Sequence, residues 1–246
     1  MSAKVGVISA MDREVAPLLK EWQRGTLISG TREFSIWAKG GHSYIQSGIG
    51  RQLGLAAARA LVADQRPDIL ISAGFAGALT PLLSVGEIIT VGTVIDVQTG
   101  DRFDLPFGTG TLVSAANIAE ETEKKRLATK FNAQAVDMEA SAVAQVAREN
   151  GIPFCAVKAI SDELGFVMPP FNAYVDQDGK LELNRFAAHV AIRPGYWPSL
   201  MQLARNSKIA AAELSSALER LLDSIASETD LAQAVNGLKS LARVVN

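Results

Sequence analysis

Apolar runs and amphipathic segments alternate along the first two thirds of the chain. Short runs of β-branched and aliphatic residues predict buried strands, and apolar residues at helical spacing predict helices between them. The predicted strands are 4–10, 34–38, 43–46, 68–74, 86–97, 111–114, 135–138 and 154–160. The predicted helices are 12–22, 52–64, 117–131 and 139–150. This alternation indicates an α/β sheet with helices on both faces.

The pattern changes after residue 163. Residues 163–198 contain prolines and aromatic residues and show little periodicity, whereas 199–225 carry one apolar stripe at helical spacing. A helix is therefore predicted over 199–225, and a shorter one over 229–245.

In α/β sheets, ligands bind where loops leave the carboxyl ends of the strands. The candidate segments are 10–14, 47–50, 74–77, 138–139 and 161–162. Glycines in 47–50 and 74–77 would let backbone N–H groups approach an anion or an oxygen-rich ligand. No Gly-x-Gly-x-x-Gly sequence follows the first strand, and the chain has no Walker A sequence. A dinucleotide fingerprint is therefore not supported.

Composition narrows the class of protein. Hydrophobic residues make up 48% of the 246 residues and charged residues 20%, which suffices for a sizeable core. The net charge of −2 argues against nucleic acid as the main partner. No apolar run reaches the ~20 residues that span a bilayer. With no secretory signal pattern and a single cysteine, Cys155, we expect a cytoplasmic location.

Acid–base chemistry in this chain must depend mainly on carboxylates, because only two histidines, His42 and His189, are present. Four acids stand at predicted strand ends or loops: Glu14, Asp137, Glu139 and Asp162. A carboxyl in an apolar pocket has a raised pKa and can exchange a proton near neutral pH. The alternative for each acid is that it caps a helix or pairs with Lys or Arg. Cys155, inside a buried-strand pattern, is interpreted as a core residue.

Five motifs together resemble the methylthioadenosine/S-adenosylhomocysteine nucleosidases of the purine nucleoside phosphorylase superfamily. They are VISAMDREV at 7–15, SGIG at 47–50, SAGFAGA at 72–78, VDMEA at 136–140 and AISD at 159–162. The resemblance implies a three-layer α/β/α nucleoside phosphorylase-like fold, with a central mixed sheet and a helical C-terminal extension. It also implies a homodimer and a site without cofactor or metal. Since the motifs span 7–162, we expect a single domain over 1–246, with its core at about 1–162 and an elaboration at about 163–246.

The implied activity is cleavage of a purine N-ribosidic bond with release of adenine. Asp162 would protonate or hydrogen-bond the purine N7, and Glu14 would deprotonate the attacking water. Glu139 would accept hydrogen bonds from the ribose hydroxyls. The substrate-binding residues that the resemblance implies are Met11, Ile49, Phe75, Met138, Glu139 and Ser161.

Two departures from the family pattern bear on the substrate. Phe75 stands where phosphorolytic relatives place a phosphate-binding serine, which favours water as the nucleophile, although Arg13 and Arg51 could bind an anion. The purine-stacking Gly-Asp-x-Phe segment expected at 114–118 reads SAANI, without the acid or the aromatic ring. A non-catalytic nucleoside-binding protein is therefore a competing hypothesis.

The C-terminal part resembles hopanoid-associated phosphorylases of the same superfamily, through MPP at 168–170, RPG at 193–195 and PSLMQLAR at 198–205. That resemblance implies an alternative substrate, an adenosyl-linked lipid. Apolar residues between 166 and 197 would line a lipophilic entrance. The other interpretation is that they pack the C-terminal helix onto the sheet or bury a dimer interface.

Overall fold

A computed structural model describes residues 3–106, 108–168, 171–174, 185–186 and 193–227. Eleven strands are found in this part of the chain: β1 (Val5–Ser9), β2 (Gln23–Ser29), β3 (Arg32–Lys39), β4 (His42–Gln46), β5 (Ile69–Ala78), β6 (Ile88–Thr90), β7 (Thr93–Asp96), β8 (Arg102–Asp104), β9 (Thr111–Ser114), β10 (Ala135–Asp137) and β11 (Phe154–Asp162). The α-helices are α1 (Ala16–Leu19), α2 (Arg51–Gln65), α3 (Glu121–Phe131), α4 (Ala140–Asn150) and α5 (Trp197–Ser227). Short 3₁₀ turns cover Asp12–Glu14, Phe171–Tyr174 and Pro194–Tyr196.

All eleven strands join one mixed sheet, in the order β2-β3-β4-β1-β5-β10-β9-β7-β8, with β11 beside β5 and β6 beside β11. Strand β5 is the centre of this sheet. It runs parallel to β1 and β11, while its last residues, Gly77 and Ala78, pair antiparallel with β10. The carboxyl ends of β1, β5 and β11 therefore lie side by side, next to the end of β10.

Helices cover both faces of the sheet, as expected from the apolar runs of its strands. On one face, α2 and α4 pack through small and aliphatic residues such as Ala57, Leu61 and Val143. On the other face, Leu214 and Leu218 of α5 pack beside the short helix α1 on β1, β5 and β11. The predicted three-layer α/β/α architecture with a mixed sheet and a C-terminal helix is confirmed.

The helix predicted over 12–22 was wrong in extent. The chain instead forms the 3₁₀ turn Asp12–Glu14 and the four-residue α1, and then enters β2, which was not predicted. Strand β2 carries mostly exposed residues and is held by its ladder to β3. It lacks the apolar alternation by which a strand is recognised, because neither face is deeply buried.

Two further predictions of element boundaries need correction. Residues 74–77 do not form a loop, since β5 continues through them to Ala78. The strand predicted over 86–97 is divided into β6 and β7 at Val91-Gly92. At this break the loop at Gly108 approaches so closely that a Cβ on Gly92 would lie 3.1 Å from the Gly108 carbonyl oxygen.

Cys155 is buried in β11, and burial raises the pKa of its thiol to about 12, as expected for a core residue. The helix predicted over 229–245 and His189 lie outside the described residues. Among the described helices, none is both long enough and apolar enough to cross a bilayer.

Candidate active site

A cavity of about 180 Å³ lies at the carboxyl ends of the central strands. It is bounded by the segments that follow β1, β4 and β10 and by the last residues of β5 and β11. The cavity is lined by all eight residues to which the sequence assigns a catalytic or substrate-binding role: Met11, Glu14, Ile49, Phe75, Met138, Glu139, Ser161 and Asp162. Residues more than 140 positions apart are thus brought to one site.

Glu14 lies in the 3₁₀ turn directly after β1, and its side chain is buried. The backbone N–H of Met11 donates to Oε2 at 3.2 Å, and that of Phe75 to Oε1 at 3.5 Å. Burial raises the pKa of Glu14 and outweighs these hydrogen bonds and the charge of Lys158. A Cβ on Gly74 would lie 3.2 Å from Oε2, so this glycine makes room for the carboxylate.

Glu139 lies at the N-terminus of α4 and is also buried. The Gly50 N–H donates to its Oε1 at 2.6 Å. Burial, followed by the neighbouring Asp137 carboxylate, raises the pKa of Glu139 to about 8. Two glutamates of raised pKa therefore line the same cavity.

Both carboxylate oxygens of Asp137 have partners within the protein. Its Oδ2 accepts the Ala140 N–H at 2.9 Å and lies 2.9 Å from Nζ of Lys158, while its Oδ1 accepts the Ser114 hydroxyl at 2.6 Å. Lys158 also donates to the Ser72 hydroxyl at 3.0 Å. The alternative of helix capping and pairing with lysine therefore applies to Asp137, which fixes the start of α4 to the sheet.

Asp162 ends β11, where the register against β5 shifts between Ile160 and Asp162. The Ser161 hydroxyl donates to Oδ1 at 2.7 Å, and the ammonium group of Lys124 donates to Oδ2. Lys124 also donates to the Glu163 carbonyl oxygen at 2.7 Å. A Cβ on Gly77 would lie 2.9 Å from Oδ2, so a second glycine of β5 makes room for this pair.

The two buried lysines of the site were missed by sequence reasoning. Lys124 stands at the i,i+4 spacing from Glu120 that favours a pair on a helix, yet it is 1% exposed and faces the cavity. The available signal was its spacing of three residues from the buried Leu127, which places it on the apolar face of α3. Lys158 stands inside the apolar run of β11, which was a comparable signal. The pair of Glu121 and Lys125, which has the same i,i+4 spacing, does lie on the surface.

Each of the two glycine-containing segments, 47–50 and 74–77, donates a backbone N–H group to a carboxylate of the chain itself. The N–H groups of Gly50 and Phe75 donate to Glu139 and Glu14, and the Gly48 N–H donates to the Ala10 carbonyl oxygen. Of the two arginines considered as anion ligands, Arg51 pairs with Asp96 at 2.6 Å and with Gln145, whereas Arg13 lines the cavity.

The rest of the lining is mostly apolar or amide-bearing. The segment without the family's aromatic ring contributes Asn117, Ile118 and Ala119, and the C-terminal region contributes Met168, Leu203 and Ser207. In the described part of the chain, no group of three or more His, Cys, Asp or Glu is arranged to hold a metal ion.

The sheet order and the carboxylate-lined cavity agree with the comparisons to known proteins. A family model described as the phosphorylase superfamily matches residues 4–108 and 97–192. The chain belongs to the phosphorylase superfamily.

Among its relatives is a 5′-methylthioadenosine/S-adenosylhomocysteine nucleosidase from Shewanella halifaxensis. It is 27% identical in an alignment 216 residues long, which covers 72% of this chain and 94% of that protein. The fold is similar to that of a 5′-methylthioadenosine nucleosidase from Arabidopsis thaliana, with a TM-score of 0.72, 16% identity and coverage of 94% and 98% of the two chains. It is also similar to a futalosine hydrolase of Helicobacter pylori, with a TM-score of 0.62, 17% identity and coverage of 89% and 98%.

Proposed function

We propose that this protein hydrolyses the N-glycosidic bond of an adenine nucleoside of the methylthioadenosine/S-adenosylhomocysteine type. The observation that carries the proposal is that the acidic side chains of the cavity have different partners. Glu14 and Glu139 accept only backbone N–H groups and form no ion pair among the described residues, whereas Asp162 pairs with Lys124. One cavity thus offers a proton acceptor and a proton-donating pair, which are the two functions that glycoside cleavage needs.

In this proposal Glu14 orients and deprotonates the attacking water. Its raised pKa makes it a stronger base than an exposed carboxylate. Glu139 accepts hydrogen bonds from the ribose 2′- and 3′-hydroxyls, and Met138 packs against the sugar. Once ionised, Glu139 also stabilises the oxocarbenium-like transition state by its negative charge, so this contribution grows as the pH rises through its pKa of about 8.

Asp162 interacts with the purine N7 and makes the base a better leaving group. Ser161 positions it through the 2.7 Å hydrogen bond to Oδ1. Met11, Ile49 and Phe75 complete the substrate-binding wall. Residues 117–119 form the wall where the family pattern has a ring that stacks on the purine. In this chain, Ile118 would contact the base in place of that ring.

Water is the favoured nucleophile. The backbone N–H groups of Gly50 and Phe75 donate to Glu139 and Glu14, and Arg51 pairs with Asp96, so these groups are not arranged around a phosphate. Phe75 adds an apolar ring to the wall of the cavity.

The test is incubation of the purified protein with methylthioadenosine, S-adenosylhomocysteine, adenosine and inosine, followed by chromatographic separation of the bases. We expect adenine from one or both of the 5′-thio nucleosides. Calorimetric binding of adenine without turnover of any nucleoside would instead favour the non-catalytic hypothesis.

An adenosyl-linked lipid is the second candidate substrate, and one observation favours it. Three large apolar side chains in the segment after β11 and in α5 are exposed: Val167 at 67%, Trp197 at 51% and Met201 at 74%. Leu203, in the same helix as Trp197 and Met201, lines the cavity. A long 5′ chain leaving the site would contact these residues.

The test of this candidate is a series of 5′-alkylthioadenosines of increasing chain length. A lipid-linked substrate predicts that kcat/KM rises with chain length, and that Met201→Ser removes the rise. A kcat/KM that is highest for the methylthio compound would retain the soluble nucleoside.

Three further expectations belong to this proposal. Helix α5 packs on β11, α1 and the turn at 12–14, which supports one domain with a C-terminal elaboration. Homodimer formation is checked by light scattering on the full chain. A cytoplasmic location, supported by the buried free thiol of Cys155, is checked by cell fractionation.

A further inference from the structure

The roles proposed above leave one costly feature of the site without a function. Lys124 is among the largest fully buried side chains of the protein, and burying an ammonium group is unfavourable unless it is closely paired. The helix α3 that carries it has an otherwise polar character, with neighbouring charged residues such as Glu121 and Lys125 paired on the surface. Lys124 alone among these turns inward, to Asp162 and the Glu163 carbonyl oxygen.

The hydrogen bonds around Asp162 identify where its proton can come from. Oδ1 accepts the Ser161 hydroxyl, and Oδ2 accepts the Lys124 ammonium group. A serine hydroxyl does not give up its proton readily, whereas an ammonium group is a cationic acid with three N–H donors. Two of those donors have partners in the described chain, and Lys124 also lines the cavity.

Strand β5 is shaped to admit this pair. A Cβ on Gly77 would lie 2.9 Å from Oδ2 of Asp162 and 3.2 Å from Cε of Lys124. Since Gly77 has no positive φ in the structure, the reason for glycine here is space and not backbone conformation. The close packing holds the ammonium group against the carboxylate at the edge of the cavity.

We propose that Lys124 is the source of the proton that the departing purine receives, acting through Asp162. This inference deepens the proposed function and depends on it. As the bond between C1′ and N9 breaks, its electron pair stays on the purine. A proton passes from Nζ of Lys124 to Oδ2 of Asp162 and from that carboxyl to N7. Lys124 is left as a neutral amine, the water attacking C1′ gives a proton to Glu14, and exchange with solvent restores both groups after the products leave.

Lys124→Met tests the proposal, with Lys125→Met as the matched control, since Lys125 lies next in the chain and its side chain is 62% exposed. The substrates are methylthioadenosine and its 2-fluoro derivative, whose base leaves more readily without a proton. We expect Lys124→Met to lower kcat for methylthioadenosine by roughly 10²–10⁴-fold, and for the 2-fluoro derivative by clearly less. The control is expected to behave as the wild type with both.

Lys124→Arg distinguishes the effect of losing a transferable proton from the effect of losing a positive charge. A guanidinium group keeps the positive charge but does not deprotonate in a protein. We expect it to lose turnover as Lys124→Met does. Thermal melting and adenine binding check that each variant is folded. If the methionine variant does not fold, Lys124→Gln replaces it, since an amide can still donate to Asp162.

Equal losses on the two substrates, or no loss, would overturn the assignment, as would recovery of turnover in Lys124→Arg. Loss of adenine binding by both Lys124→Arg and Lys124→Gln would also overturn it, because the role would then be structural. A wild-type protein that releases the purine base from neither substrate would overturn the proposed function itself, which the variants alone cannot do.

Discussion

Two lysine–aspartate pairs are buried in this protein, and their surroundings differ. Lys158 and Asp137, the sealed pair, have side chains 1% and 0% exposed. Asp137 borders the cavity, but the other hydrogen bonds of the pair go to the protein itself, at Ser72, Ser114 and the start of α4. Lys124 and Asp162 lie in the cavity wall, with side chains 2% and 6% exposed. The same pair of residue types therefore supports the framework in one place and, in our proposal, the chemistry in the other.

The largest expected effect concerns Asp162. Asp162→Asn is expected to lower kcat for adenine release by roughly 10²–10⁴-fold, because an amide cannot pass a proton to N7. Steady-state kinetics on methylthioadenosine measures it. Asp162→Asn also leaves the buried Lys124 ammonium group without its carboxylate, so thermal melting is measured to check that the variant is folded. Unchanged turnover would remove Asp162 from the mechanism.

The sealed pair is expected to respond in stability. Lys158→Met leaves the Asp137 carboxylate buried without its cation, which should cost about 3–5 kcal/mol of unfolding free energy in urea denaturation. Lys39→Met is the control, because the Lys39–Glu21 pair is exposed and such surface pairs contribute little to stability. Equal losses of unfolding free energy in the two variants would show that the sealed pair does not stabilise the fold more than an exposed pair.

Gly77→Ala should disturb the cavity pair without touching the sealed one. The added Cβ would meet Asp162 and Lys124, and such overpacking typically costs about 1–3 kcal/mol. We expect kcat to fall together with the melting temperature. Gly165→Ala is the control, because a Cβ there meets nothing within 4 Å. A Gly77→Ala protein with wild-type kcat would argue that turnover does not require the close packing of Lys124 and Asp162 against β5.

The smallest expected effect is on the pH dependence of stability, through Glu139. Its folded-state pKa is raised to about 8 from an ordinary value of 4.5, so the folded protein binds more protons than the unfolded chain between these values. Stability therefore falls as pH rises through that window. Glu139→Gln should reduce this fall and leave the part that comes from the raised pKa of Glu14. Unfolding of the two proteins at pH 5 and pH 8 tests this, and parallel pH dependences would contradict it.

The site residues were predictable because they stand next to glycine-rich strand ends in a recognisable order along the chain. Glu14, Glu139 and Asp162 each follow or end an apolar run, which is where an α/β sheet gathers ligands. The two lysines were not found, because a charged residue in a helical or strand pattern is usually exposed. Their burial depends on which acid lies opposite, and that is a property of the folded chain.

The limits of the fold prediction have a similar cause. Strand β2 is exposed on both faces and exists through its hydrogen bonds to β3, so its residues carry no apolar alternation. The prediction that 74–77 form a loop failed because Gly74 and Gly77 serve packing and not a turn. Each makes space for a carboxylate that is distant in the sequence.

In the proposed reaction, carboxylates of this chain activate water at an adenine nucleoside. The most direct measurement follows methylthioadenosine with the purified protein in phosphate-free buffer and again with added phosphate. Hydrolysis predicts one adenine and one free methylthioribose for each nucleoside consumed, at a rate that phosphate does not raise. Adenine release that requires phosphate and yields a sugar 1-phosphate would contradict it.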